Sequence, residues 1–234
     1  MDEAEIRKSA ALERRHWWYA ARRTMVRREL APLRIGRALD VGCGSGGNTE
    51  VLRDLGWQVT GLDHSPASAE VAHGRGLPVV RGDARALPFA DASFDLVLST
   101  DAWEHVDRDD IVAAETRRVL RPGGHLLLAV PAGTDLWSGH DVALAHFRRY
   151  ERRSLVELVQ GSGLQVEDVF GWNVLLRPIA RVRRRRRRTS ESEMQPVNAL
   201  LNMVLRAVLA VEAHLPLRRR RGMSLVLHAT RPTS

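Results

Sequence analysis

The sequence has very little cysteine and no apolar leader segment. Its single cysteine, Cys43, excludes a disulfide within the chain and is typical of a protein kept in a reducing compartment. Met1–Lys8 is rich in charged residues, and the apolar stretch that a signal peptide needs does not follow it. We therefore expect a cytoplasmic protein.

Aromatic residues are also scarce, and none lies between Asn173 and Gly222, where the basic charge is concentrated. That segment holds 13 arginines and three glutamates, a local charge of +10, so the rest of the chain carries −2 of the overall +8. Proteins that bind single-stranded nucleic acid usually combine basic charge with aromatic rings on which bases stack. The shortage of aromatic residues disfavours a nucleic-acid partner for this segment.

Short apolar segments alternate with helical ones along most of the chain. The 234 residues suit one domain, or one domain with a sizeable insertion. Alternation of this kind predicts an α/β fold, in which a doubly wound parallel sheet carries helices on both faces and binds ligands at the carboxyl ends of its strands. The predicted strands span residues 37–41, 58–63, 78–83, 94–100, 124–130, 164–171 and 223–230, and the predicted helices lie near 2–31, 47–55, 65–74, 108–120 and 152–162.

Ala38–Gly47 has the pattern of a buried strand that ends in a glycine-rich turn and opens a helix. Its glycines formally satisfy a dinucleotide fingerprint, so NAD is one candidate ligand. Asp40, however, precedes the first glycine by two residues, and its carboxylate would repel a pyrophosphate and attract a cation. S-adenosylmethionine carries a sulfonium and an ammonium group and no phosphate. The segment Leu39-Asp-Val-Gly-Cys-Gly-Ser-Gly46 resembles the first motif of the class I S-adenosylmethionine-dependent methyltransferases.

This resemblance implies a Rossmann-like, mostly parallel seven-stranded sheet whose last strand runs antiparallel between the fifth and sixth strands. If 164–171 is the sixth strand and 223–230 the seventh, the basic segment is an insertion within the fold. The implied organisation is an N-terminal helical lid at 1–36, a cofactor-binding core at 37–172, a basic helical insertion at 173–222, and the last core strand with a tail at 223–234.

The resemblance also implies which residues bind the methyl donor. Asp63 ends the second strand about 20 residues after the glycine turn, where its carboxylate would accept hydrogen bonds from ribose hydroxyls. Arg81-Gly-Asp83-Ala84 resembles the motif that contacts the adenine ring. Cys43 is interpreted as a cofactor contact, because methyl transfer needs no protein nucleophile. The implied donor-binding set is Asp40, Gly42, Cys43, Gly44, Gly46, Asp63, His64, Asp83, Ala84 and Asp101.

The segment after the fourth predicted strand carries candidate catalytic residues. On a helical turn Asp101, Glu104 and His105 share one face, at the edge of the sheet where the sulfonium would lie. The pattern Asp-x-x-Glu-His resembles the set that binds a divalent cation in small-RNA 2′-O-methyltransferases and in quinone-biosynthesis O-methyltransferases; His140 or His146 would complete such a set. Three roles stay open at this point: orientation of the cofactor, His105 as a general base, or binding of Mg²⁺ or Zn²⁺.

A second cluster follows the fifth predicted strand, where this fold builds part of the acceptor pocket. His140-Asp-Val-Ala-Leu-Ala-His-Phe-Arg-Arg-Tyr150 resembles a segment found in bacterial methyltransferases. Its arginines would suit an acidic acceptor, or they form a solvated face. The predicted catalytic residues are therefore His105, His140 and Glu104.

Two further segments allow more than one role. His16–Tyr19 is strongly aromatic and predicts either a face packed on the sheet edge or a lid over the ligands. The basic insertion places an apolar helix, Val197–Leu215, between Arg183–Arg188 and Arg218–Arg221. An anionic membrane surface would bind both the apolar helix and the arginines. A helix packed on the domain, a homodimer contact and nucleic acid are the alternatives.

Together these features predict methyl transfer from S-adenosylmethionine to an oxygen or nitrogen of a small-molecule or lipid-linked acceptor. The protein would act in the cytoplasm or at the inner face of the membrane. One alternative is an RNA or DNA methyltransferase, although the chain lacks the Asn/Asp-Pro-Pro-Tyr motif that many amino-methylating enzymes of that class carry. Another is a protein that keeps the fold without transferring methyl groups, for example as a cyclase.

Overall fold

A computed structural model describes residue 7, residues 10–186 and residues 197–233. Seven strands form one sheet in the order β3-β2-β1-β4-β5-β7-β6. Strands β1 to β5 are parallel, and β7 runs antiparallel to both of its neighbours. The predicted fold class and the antiparallel position of the last strand between the fifth and sixth are thereby confirmed. The strands are β1 Arg37–Val41, β2 Gln58–Asp63, β3 Val79–Arg81, β4 Phe94–Thr100, β5 Leu120–Pro131, β6 Gln165–Trp172 and β7 Ser224–Thr230.

Helices cover both faces of the sheet because successive strand residues point in opposite directions. The helices are α1 Trp17–Leu30, α2 Gly47–Asp54, α3 Pro66–Gly74, α4 Asp109–Val119, α5 Gly139–Ala143, α6 Arg152–Gly161, α7 Arg177–Arg186 and α8 Ala199–Glu212, with short 3₁₀ turns at Trp103–His105 and Thr134–Leu136. In β4, Leu96 and Leu98 pack against α1 and α2, whereas Val97 packs against α4 and α6 on the other face.

The N-terminal helix is not continuous, contrary to the expectation of one helix over 2–31. Residues 10–13 are helical, a turn follows, and α1 begins at Trp17. His16 interrupts the helix because its backbone is extended and its Nδ1 accepts a hydrogen bond from the Trp18 N–H (3.3 Å). The aromatic residues predicted within one long helix therefore stand at the start of a new one.

Two strands, β3 and β5, also differ from the prediction by more than one residue. Strand β3 ends at Arg81, and the next amide, that of Gly82, still donates to the Asp63 carbonyl (3.0 Å). Strand β5 begins at Leu120, which pairs with Phe94, so the Pro-Gly-Gly segment predicted as a turn lies within the strand.

The segment between β6 and β7 leaves the sheet and returns to it, as expected of an insertion. Helix α8 lies against α1, where Asn202 Oδ1 accepts a hydrogen bond from the Trp17 amide (2.7 Å) and Asn202 Nδ2 donates to the Arg15 carbonyl (3.0 Å). Part of the predicted arginine run, residues 187–188, lies outside the described residues. Helices α7 and α8 nevertheless flank one end of the sheet.

Polar contacts fix both ends of this insertion to the core. At its start, the Glu212 carboxylate accepts hydrogen bonds from the amides of Val174 (2.9 Å) and Leu175 (2.8 Å). At its end, the Arg218 guanidinium stacks 3.5 Å from the centre of the Phe170 ring and pairs with a carboxylate of α1. The insertion is therefore held in a defined position relative to the carboxyl ends of the strands.

Candidate functional site

A cavity of about 970 Å³ opens at the carboxyl ends of β1, β2 and β4. The glycine turn, the start of α1 and the insertion all contribute residues to its lining. The described residues around it include most of the predicted site: Gly42, Cys43, Gly44, Asp63, His64, Asp83, Ala84, Asp101, Glu104, His105 and His140. The topology therefore brings the predicted donor-binding and catalytic residues to one place.

Three glycines of the turn have positive φ angles, which side chains rarely adopt. A Cβ on Gly42 would lie 2.4 Å from the Ala102 Cβ, and one on Gly46 would lie 2.3 Å from a methyl group of Leu77. A Cβ on Gly44 would meet no described atom within 4 Å. Packing therefore requires glycine at positions 42 and 46. The absence of a side chain at Gly44 leaves open space, so a ligand can approach the backbone there.

Asp63 is held rigidly at the wall of the cavity. One of its oxygens accepts a hydrogen bond from the Gly44 amide and the other from the Ser65 amide, both at 2.9 Å. Each carboxylate oxygen can accept a second hydrogen bond. This geometry fits the two adjacent hydroxyls of a ribose.

The residues predicted beside the adenine ring lie at the rim. The Asp83 carboxylate is bound by the Arg85 guanidinium (2.8 Å), whose hydrogen bonds hold the Asp83 pKa below its usual range. The His64 side chain is 78% exposed. The Asp83 side chain is nevertheless 47% exposed, and its contact with an adenine ring stays a prediction.

Asp40 lies beneath the glycine turn and is not among the described residues that line the cavity. It is buried, and its carboxylate accepts a hydrogen bond from the Thr49 hydroxyl (2.7 Å). Burial raises its pKa to about 7, with the Thr49 hydrogen bond and Arg22 opposing the rise. Any influence on a ligand would act through space, and direct contact with the donor stays a prediction.

Cys43 is buried in the same turn, and burial raises the pKa of its thiol well above the usual value. The thiol is therefore protonated at neutral pH. A protonated thiol is a weak nucleophile, and contact of Cys43 with the donor stays a prediction.

Arg22 of α1 is a site residue that the sequence did not distinguish from the other arginines of the N-terminal segment. Its guanidinium forms an ion pair with Asp101, which follows β4 with a positive φ of 50°. Burial alone would lower the pKa of Arg22, but Asp101, Tyr19 and Glu13 together outweigh burial and raise the pKa. Within the described residues, the Arg22 Nε is buried without a hydrogen-bond partner. Helix α1 thus supplies a cation to the cavity.

Glu104 and His105 lie together on the 3₁₀ turn after β4. Glu104 is 1% exposed, and within the described part of the chain neither of its carboxylate oxygens has a hydrogen-bond partner. Burial, together with the Asp101 charge, raises its pKa well above the usual value. Burial and the neighbouring His146 lower the His105 pKa to about 3, so this imidazole is neutral at physiological pH.

Of the two histidines that the sequence left open, His146 joins Glu104 and His105. The ring centres of His105 and His146 are 4.7 Å apart, and the ligand atoms of the three side chains lie within 4.8 Å of one another. His140 also faces the cavity, with its ring centre 6.4 Å from that of His146.

Asp141 orients His146, a role that the sequence did not indicate. Its Oδ1 lies 3.0 Å from the His146 Nδ1 and accepts a hydrogen bond from the Arg149 Nε (2.7 Å). Burial would raise the Asp141 pKa, but the hydrogen bond with His146 and the charge of Arg149 outweigh it and bring the pKa far below the usual value. Asp141 is therefore a carboxylate that fixes the imidazole.

Apolar side chains of α1 and of the insertion line part of the cavity, beside Arg183 and Arg184 of the insertion. Trp17, Trp18 and Tyr19 contribute from α1, and the Trp18 ring packs on Trp172 with 5.0 Å between ring centres. Leu176, Ile179, Leu201 and Leu205 contribute from the insertion. The apolar helix predicted in the basic segment thus forms part of the site.

Comparison with known proteins agrees with this geometry. Residues 39–128 match the profile of a family described as Methyltransferase domain. A Mycolicibacterium smegmatis protein named as an S-adenosylmethionine-dependent methyltransferase is 34% identical over 167 residues, covering 68% of this chain and 64% of the relative.

Two further relatives match shorter regions. A phthiotriol/phenolphthiotriol dimycocerosates methyltransferase of Mycobacterium ulcerans is 41% identical over 46% of this chain and 40% of its own length. The 2-methyl-6-phytyl-1,4-hydroquinone methyltransferase of Synechocystis is 42% identical over 39% of this chain and 30% of its own length. The chain thus spans less than two thirds of the length of these relatives.

Solved structures match nearly the whole chain. A Haloferax volcanii methyltransferase, determined with the Trm112 methyltransferase activator, has a TM-score of 0.67 at 23% identity and covers 98% of this chain and 95% of its own. Haemonchus contortus phosphoethanolamine N-methyltransferase 2, bound to S-adenosylmethionine, has a TM-score of 0.63 at 22% identity and covers 90% of this chain and 52% of its own. At these identities the likeness shows a common fold.

Proposed function

Because the chain belongs to the class I S-adenosylmethionine-dependent methyltransferases, whose cofactor is S-adenosylmethionine, we propose that it transfers a methyl group from this donor to an oxygen or nitrogen of a lipid-linked acceptor. The donor would lie on the glycine turn, with Asp63 on the ribose and Asp83–Ala84 beside the adenine. The sulfonium would then face the histidines that follow β4 and β5.

The observation that carries the choice of acceptor is the aliphatic wall supplied by the insertion. Ile179 and Leu201 line the cavity and are also 66% and 45% exposed, so apolar surface continues from the site to the exterior. Such a path suits an acceptor whose reactive head enters the cavity while its hydrocarbon tail remains outside. Two relatives named above support this class, since their names specify dimycocerosate and phytyl compounds.

The reaction needs alignment more than chemical activation, because the methyl group of a sulfonium is already electrophilic. A lone pair of the acceptor oxygen or nitrogen forms the new bond to the methyl carbon as the carbon–sulfur bond breaks. The bonding electrons stay on sulfur and leave S-adenosylhomocysteine. An acceptor hydroxyl also loses a proton, for which His140 is the candidate base, because the low pKa of His105 makes that imidazole a poor proton acceptor.

We extend the proposal to peripheral binding at an anionic membrane, because the outer face of the insertion combines apolar and basic residues. Leu200 and Met203 of α8 are 67% and 61% exposed and lie on one helical stripe with Val204 and Val211. Exposed arginines, Arg206 and Arg219–Arg221, flank this stripe. Among the described residues, no helix combines the length and apolarity needed to cross a bilayer. Adsorption of the stripe into the headgroup region would bring a lipid-linked acceptor to the cavity.

The test uses methyl-labelled S-adenosylmethionine and a bacterial extract separated into lipid, soluble small-molecule and nucleic-acid fractions. We expect label in the lipid fraction, and at least about tenfold less with Leu201→Glu, which places a charge in the apolar wall. Ile35→Glu is the matched control, because Ile35 is 57% exposed but lies before β1, at the other end of the sheet.

Label confined to soluble small molecules would contradict the lipid-linked acceptor while leaving methyl transfer intact. Label in RNA or DNA would contradict it as well and would favour a nucleic-acid substrate. Equal losses with Leu201→Glu and Ile35→Glu would show that the apolar wall has no specific role.

A further inference from the structure

Three side chains with metal-binding atoms meet in the part of the cavity where the acceptor would react. Glu104 and His105 follow β4, whereas His146 follows α5, and the Phe147 amide holds the two segments together by donating to the Glu104 carbonyl (2.7 Å). The ligand atoms of the three side chains lie within 4.8 Å of one another. Two ligands of a tetrahedral ion with bonds of about 2.1 Å lie about 3.4 Å apart, so small side-chain movements would bring all three onto one ion.

We propose that Glu104, His105 and His146 bind a divalent transition-metal ion in this cavity. The proposal explains why a buried carboxylate lacks hydrogen-bond partners within the described residues, since a cation would satisfy both of its oxygens. Buried carboxylates are otherwise paired or hydrogen-bonded, because removing their charge from water is costly. Arg149, an arginine whose charge acts on Glu104, is already bonded to Asp141 and to the Ala132 carbonyl.

His146 is held as metal-ligating histidines are. Asp141 lies 3.0 Å from its Nδ1, which leaves Nε2 for an ion. His105 packs edge-on against His146, with 4.7 Å between the ring centres. A carboxylate or carbonyl partner on one ring nitrogen fixes the tautomer and aims the other nitrogen at the metal. Asp141 is thus a positioning residue, one that would act through His146.

Asp101 is outside this ligand group, although its spacing from Glu104 made it a candidate in the sequence. Its carboxylate forms an ion pair with Arg22. Two imidazoles and one carboxylate suit Zn²⁺, Mn²⁺ or Fe²⁺ better than Mg²⁺ or Ca²⁺, which favour oxygen ligands. Three protein ligands leave at least one coordination position facing the cavity. We assign that position to an acceptor oxygen, an assignment that rests on the proposed function. The ion would make the proton of that oxygen easier to remove.

The experiment measures metal binding directly, without acceptor. The full chain is stripped with a chelator and titrated with Co²⁺, followed by visible absorption, and Zn²⁺ uptake is then measured by mass spectrometry. We expect one ion per chain, at least about a hundredfold weaker binding with His105→Ala or His146→Ala, and about 10–100-fold weaker binding with Asp141→Asn. His140→Ala is the matched control and should retain full affinity, because His140 lies in the same cavity outside the ligand group.

Circular dichroism and calorimetric binding of S-adenosylmethionine are recorded for each variant, so that loss of fold is not mistaken for loss of a ligand. Metal binding that is absent from the wild type, or unchanged in both histidine variants, would overturn the proposal. Dependence on His140 in place of His146 would also overturn it. Intact metal binding without methyl transfer to any fraction would count against the proposed function alone, and the opposite result would count against the metal site alone.

Discussion

The two halves of the cavity differ in how their polar groups are satisfied. On the donor side, both Asp63 oxygens are bound by backbone amides and Asp40 is bound by Thr49. On the acceptor side, the buried Glu104 carboxylate has no hydrogen-bond partner among the described residues. The donor half is therefore preorganised, and substitutions there should damage folding and binding together. The acceptor half holds a destabilising group, Glu104. Its removal should raise stability and lower activity.

The largest effect is expected in the glycine turn. Gly42→Ala places a Cβ 2.4 Å from the Ala102 Cβ at a φ of +72°. The steric conflict and the backbone strain together cost several kcal/mol, on the order of 3. We expect at least about a hundredfold weaker binding of S-adenosylmethionine, measured by calorimetry. Gly74→Ala, at the end of α3 with open space around its Cβ, is the matched control and should bind normally. Equal affinities of the two variants would contradict a rigid donor half.

Glu104 gives the sharpest test of the acceptor half. Glu104→Met replaces an unpaired buried carboxylate by an apolar side chain of similar volume, so the metal-free protein should gain about 1–3 kcal/mol of stability in urea unfolding at pH 8. Methyl transfer should fall at least about a hundredfold. Asp63→Met is the counterpart on the donor side and should lose stability, because it leaves the Gly44 and Ser65 amides without an acceptor. A loss of stability in both variants would remove the distinction between the halves.

Much of this arrangement follows from local sequence patterns. The alternating apolar segments predict the sheet, and the strand ends then bring the glycine turn, Asp63 and Glu104 to one edge. The contacts that complete the site join distant residues and leave no local pattern. The Trp17–Asn202 hydrogen bond spans 185 positions, and the Arg22–Asp101 pair spans 79. For the same reason, the spacing of His140 and His146 could not show which of them reaches His105, because the turn after α5 decides it.

The exposed stripe on α8 predicts a smaller effect. Replacing Leu200 and Met203 together by glutamate removes two apolar contacts with lipid and adds repulsion from anionic headgroups. We expect about tenfold weaker binding to vesicles that contain anionic phospholipid, measured by co-sedimentation, with unchanged binding of S-adenosylmethionine. Ile35→Glu should bind vesicles as the wild type does. Unchanged vesicle binding by the double variant would argue for a different role of the stripe.

The smallest effect tests whether Asp40 acts on the donor through space. Its pKa of about 7 means that it ionises between pH 6 and pH 8, in surroundings that include Thr49, Arg22, Asp63 and Glu13. A cationic ligand favours the ionised carboxylate, so the affinity for S-adenosylmethionine should rise with pH across this window, by about three- to tenfold.

Asp40→Asn keeps an oxygen that can accept the Thr49 hydrogen bond but cannot ionise, and its affinity should be independent of pH over the same range. Without ligand, the stability of the fold depends on pH in the opposite direction from the donor affinity. Because the folded-state pKa of Asp40 is raised, its contribution to stability is full below about pH 4 and is lost as pH rises through 7. The ligand-free wild type should therefore lose stability relative to Asp40→Asn as pH rises, while its donor affinity increases. Parallel pH profiles for the two proteins would show that Asp40 serves only to hold the turn.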